Sequence, residues 1–79
     1  MKITPAHFEI LRRAVALGPR ETIQSSDLPH IPAITVDFAI SDLADLGLVN
    51  AVQSKSDEGG WIAIEITSKG ARYLNELEA

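Results

Sequence analysis

Apolar residues recur along this chain with two different periods. Between residues 8 and 17 they fall on two adjoining helical stripes, Phe8, Leu11 and Val15 on one and Ile10, Ala14 and Leu17 on the other. Thr4 offers an N-cap, Pro5 suits the first helical position, and Gly18-Pro19 ends the run, so the pattern predicts a helix over 5–17. Glu9 and Arg13 form an i,i+4 pair in the favourable order on its polar face. "ETIQ" (21–24) reads as a short extended piece. Ser25-Ser26-Asp27 supplies N-caps for a second helix, but Pro29 and Pro32 leave it room for a turn or two. Thr35 then caps a third helix, with Val36, Ala39, Ile40, Leu43 and Leu46 at core spacing and Gly47 at its end.

Beyond Gly47 the period shortens to two. Strands are predicted over 48–54 and 61–66, joined by "SDEGG" (56–60), whose glycines supply the positive φ of a hairpin. In the second strand Ile62, Ile64 and Ile66 are expected on one face, opposite Trp61, Ala63 and Glu65. Thr67 caps a last helix, with Gly70, Tyr73, Leu74 and Leu77 as the inward stripe. The expected architecture is α+β: three N-terminal helices, the second one short, a two-stranded hairpin and a C-terminal helix. No repeat, linker or low-complexity segment interrupts it, so residues 1–79 are read as a single domain.

Two stretches carry a resemblance. "ISDLADLGLV" (40–49) resembles the end of the recognition helix and its turn into the wing in MarR-type regulators. "IEITSKGARYL" (64–74) resembles the strand-to-helix step that follows the wing in the same proteins. Together they make nearly the whole chain similar to a winged helix-turn-helix domain. The resemblance implies a DNA-binding transcriptional regulator that presents its third helix to duplex DNA. The winged helix also serves as a protein-docking module, so fold alone does not choose between the two. The chain departs from the pattern in two places: the prolines compress its second helix, and its third helix is acidic.

Charge sharpens that second departure. The formal net charge is -4, with a pI of about 4.9, whereas a domain that holds phosphate backbone is usually basic on at least one face. On a helical wheel Phe38, Ser41, Asp42 and Asp45 lie opposite Val36, Ile40 and Leu43, with Asp37 at the edge. No Lys or Arg occurs between Arg20 and Lys55 to neutralise these aspartates. One account is a solvated face. The other is an acidic surface, with Phe38 as apolar anchor, that docks a basic protein. Aspartate can accept from cytosine N4, but each carboxylate also repels phosphate. If DNA is bound, Arg20, Lys55, Lys69 and Arg72 are the residues expected to hold it.

Other chemistry finds little support in the residues. There are no cysteines, which excludes disulfides and thiolate metal sites. Asp42 and Asp45 are two exposed carboxylates on one helix, a weak cation site. His7 and His30 match no metal spacing and are expected at a helix terminus or on the surface. No nucleophile elbow or phosphate-cradling loop occurs, so neither enzyme activity nor a cofactor is expected. Trp61 either covers the edge of the core or stands exposed at an interface. A residual patch around Ile10 and Leu17 on the wide apolar arc of the first helix could pair two protomers. Composition is that of a globular domain, 46% hydrophobic and 23% charged. The apolar runs are too short to span a bilayer and no secretory signal opens the chain, so a cytoplasmic location is the expectation.

Overall fold

The computed structural model describes residues 2–54 and 60–79. Its elements are helix α1 (Pro5–Val15), a single 3-10 turn (Ser25–Asp27), helix α2 (Ala33–Asp45), strands β1 (Val49–Gln53) and β2 (Trp61–Ile66), and helix α3 (Ser68–Glu78). The fold is α+β. Lys55 and most of the "SDEGG" turn lie outside the described residues.

The first helix begins where the capping signal stands. Thr4 Oγ1 accepts the His7 N–H, and His7 Nδ1 accepts the Thr4 N–H at 3.0 Å, closing a capping box with histidine as the reciprocal partner. Packing by α2, β2 and α3 consumes the wide apolar arc of α1. Ile10 and Leu11 are fully buried, while Val15 is 53% exposed, so the inward direction lies between the two expected stripes. The expected protomer-pairing patch loses its centre with Ile10, and Leu17 is half-buried against the core. His7 stands at the start of α1, one of its two expected places, and is buried at 6% exposure.

The prolines act as expected on the segment between α1 and α2. Ser25–Asp27 form the 3-10 turn itself instead of capping a longer helix, and Asp27 Oδ2 accepts the Gln24 N–H at 3.0 Å. The next helix starts two residues before the expected cap. Pro32 occupies the N-cap, its carbonyl accepts the N–H groups of Thr35 and Val36, and Thr35 lies inside the first turn. The other end closes as a Schellman motif. Gly47 takes φ 73°, the Leu48 N–H reaches the Leu43 carbonyl, and the Gly47 N–H reaches that of Ala44. Leu43 and Leu48, the positions of the apolar contact that accompanies such an end, are both buried in the core.

The hairpin pairs Val49 with Ile66 and Asn50 with Glu65, then Ala51 with Ala63. Ile64 is therefore the extra residue of a β-bulge. This overturns the expected face of three isoleucines. Across the bulge, Ile66 joins Ala63 and Trp61 at the core, and Ile64 is turned out at 42% exposure. Ile23 forms one antiparallel bridge with Ala63, so the "ETIQ" segment touches the free edge of β2. Thr67 then fastens α3 to the α2 turn: its hydroxyl donates to the Gly47 and Leu48 carbonyls and accepts the Gly70 N–H. Leu74 is buried and Tyr73 half-buried on α3, whereas Leu77, expected inward, is 40% exposed.

Candidate functional site

The most exposed large apolar side chains of the described residues stand together on α2. Ile34 is 64% exposed and Phe38 63%, one helical turn apart. Ser41 and Asp45 continue the same stripe toward the C-terminal end, Ser41 half-buried and Asp45 exposed. Ile34 was not among the expected site residues. Placing the helix start at Thr35 left it outside the helix, which hid its i,i+4 relation to Phe38.

The three aspartates of α2 divide by partner. Asp37 is half-buried, and its Oδ1 accepts the backbone N–H of Trp61 at 3.1 Å, tying the start of β2 to the helix. Asp42 Oδ2 lies 3.1 Å from His7 Nε2. Because His7 Nδ1 accepts the Thr4 N–H, the ring proton sits on Nε2 and is donated to Asp42. Asp45 alone of the three has no partner among the described residues. The acidic face therefore does two jobs: Asp37 and Asp42 hold elements together, and Asp45 is left to solvent or to a ligand.

Beside the stripe, between the N-terminal ends of α1 and α2, runs a groove with almost wholly apolar walls. Pro5, Ala6, Ile31 and Thr35 line it, and Glu9 and His30 stand at its rim. His30 Nε2 lies 2.8 Å from Glu9 Oε2, and Arg13 Nε lies 3.3 Å from the same oxygen. The hydrogen bond from His30 holds the Glu9 carboxyl below its usual range, against a smaller opposing effect of desolvation, and the charges of His30 and Arg13 add to the lowering.

The basic residues expected to hold DNA belong to other elements. Arg20, exposed and in the left-handed region at φ 68°, lines a cleft with Glu21, Ile64 and Glu65. Lys69 on α3 donates from Nζ to the Leu46 carbonyl at 3.1 Å, supplying the positive charge that the last turn of α2 lacks. Arg72 is exposed on α3, three residues further on, and Lys55 is outside the described residues. Arg12 pairs with Glu78 and covers the Phe8 ring. No basic side chain lies on α2 itself.

Trp61 is half-buried against the core, as a cover for its edge. No group of three potential metal-ligating side chains occurs among the described residues. Thr4, His7 and Asp42 stand in the order hydroxyl, imidazole, carboxylate, but His7 Nδ1 already accepts a backbone N–H, so the chain is a helix cap extended by one bond. No helix of the described residues is long and apolar enough to cross a membrane. The sequence matches no family model, and a search of curated proteins finds no match.

Proposed function

We infer that this chain is a winged-helix domain used as a non-catalytic protein-interaction module in the cytoplasm, with α2 presented to a basic partner. The observation that carries this reading is the outward stripe of α2: two large exposed apolar side chains, Ile34 and Phe38, followed by Asp45, with no Lys or Arg on the helix. An apolar anchor on a helix that carries carboxylates and no cation suits a protein surface carrying Lys or Arg around an apolar patch. Phosphate backbone would meet the same carboxylates with repulsion. Ser41 and the half-exposed Asp42 complete the contact face, with Asp37 at its edge beside Trp61.

A second reading, DNA-binding transcriptional regulator of MarR type, is favoured by the helix–turn–helix–hairpin–helix order and by the Gly47 and Thr67–Gly70 steps. Under it Arg20, Lys55, Lys69 and Arg72 would hold phosphates while α2 contributes little. Fluorescence anisotropy at low salt separates the two. A regulator binds mixed-sequence duplex DNA with an affinity that falls steeply as salt rises. A docking module leaves the duplex unbound and takes a cationic amphipathic peptide, with that binding lost in Phe38→Ala.

A further inference from the structure

The geometry points to the groove between the N-terminal ends of α1 and α2 as the anchor pocket of this surface, its occupant an apolar side chain on a basic amphipathic helix of a partner protein. This rests on the docking reading and adds the pocket, the partner's secondary structure and the spacing of its anchors. Pro5, Ala6, Ile31 and Thr35 give the groove walls with almost no polar atoms exposed. Thr35 sits three residues from Phe38 on the same helix, so the groove opens beside the stripe at the start of α2.

Shape and charge select the occupant. Ile34 and Phe38 are one turn apart, about 6 Å, which matches anchors at i and i+3 or i+4 on a helix laid alongside. A third anchor displaced toward α1 would enter the groove. Asp45 is exposed further along the stripe and Asp42 is half-exposed beside His7, with no Lys or Arg on α2, while Glu9 at the groove is already paired with Arg13 and His30. A second copy of this acidic chain meets like charge at the stripe, so the occupant is a different, basic polypeptide.

The test uses two synthetic peptides of about 14 residues, with leucines on one helical stripe and either lysines or glutamates elsewhere. They are titrated into the full chain labelled for amide NMR. The lysine peptide should bind at least about tenfold more tightly than the glutamate peptide. Its shifts should include Ala6, Ile31 and Thr35 together with Ile34 and Phe38. Thr35→Arg, at an exposed position, should weaken binding about tenfold or more while the spectrum remains that of the folded chain. Shifts confined to Phe38 and Asp45, with Thr35→Arg neutral, overturn the pocket and leave the docking reading standing. Equal affinity for the two peptides, or no binding of either, overturns the inference. Mixed-sequence duplex DNA shifting the α2 amides overturns the docking reading beneath it.

Discussion

His7, in the first turn of α1, donates its Nε2 proton to Asp42, near the C-terminal end of α2, across 3.1 Å. The imidazole is almost fully buried and the carboxylate is half in solvent. Removing the acceptor should therefore cost more than removing its charge. Asp42→Ala leaves a buried N–H unsatisfied and should destabilise by about 1–3 kcal/mol. Asp42→Asn keeps an oxygen in place and should cost clearly less. Urea unfolding of the two variants checks this, and equal losses would mean that charge rather than the acceptor matters.

Of the glycines among the described residues, Gly70 lies closest to neighbouring backbone. A Cβ there would stand 1.9 Å from the Leu48 carbonyl oxygen and 2.8 Å from an Ile66 side-chain carbon. Neither α3 nor the turn after Gly47 can yield without breaking the Thr67 hydrogen bonds that join them. Gly70→Ala should destabilise by about 3 kcal/mol or more, although alanine favours helix by about 1 kcal/mol. A thermal melt at or above the wild-type midpoint would show that α3 slides freely.

The features legible in the sequence are those decided by a few adjacent residues. Thr4-Pro5, Gly47 and Thr67 each announce a helix end by local chemistry, and all three ends stand where that chemistry puts them. What escaped depends on partners distant in the chain. The bulge at Ile64 follows from pairing Ala51 with Ala63, and alternation within one strand cannot reveal it. Burial of His7 needs Asp42, and the loss of Asp37 to structure needs the Trp61 N–H. Of the candidate site, Phe38 and Asp45 were visible by phase alone. Ile34 and the groove were not, because the groove is made where two helix starts meet.

Leu43 is fully buried on α2, and its carbonyl accepts the Leu48 N–H at the Schellman end. Leu43→Ala should cost about 2–5 kcal/mol, the range for a buried leucine whose cavity only partly collapses. Chemical denaturation measures it. An unchanged midpoint would mean that the α2 end is loosely packed.

Glu9 predicts a pH effect. Its folded carboxyl is held below the ordinary value, chiefly by the His30 hydrogen bond. A depressed carboxyl pKa adds stability that is full above the unfolded value and disappears as pH falls through the folded one. Stability should therefore fall on the acid side of the ordinary glutamate range, and Glu9→Gln should be less stable than wild type at neutral pH and converge with it in acid, flattening part of that fall. Thermal melts across the acid range test it; an identical acid limb in the variant would show that the pair does not couple to folding.

Asp45 is the cleanest probe of what α2 meets, since it has no partner among the described residues while Asp42 also holds His7. It lies in the last turn of α2, where the helix dipole disfavours a carboxylate, so Asp45→Asn should raise stability by about 0.3–1 kcal/mol. If a basic protein is the ligand, the same change should weaken that partner at low salt, mostly through slower association, with dissociation nearly unchanged. If duplex DNA is held by basic residues elsewhere, Asp45→Asn should bind it more tightly, with sequence preference unaltered, because one repulsive charge is gone. Weaker DNA binding, with lost discrimination at particular base pairs, would mean that this carboxylate accepts from cytosine and that α2 reads sequence. Stopped-flow association with the lysine peptide, beside anisotropy with duplex DNA, distinguishes the three results.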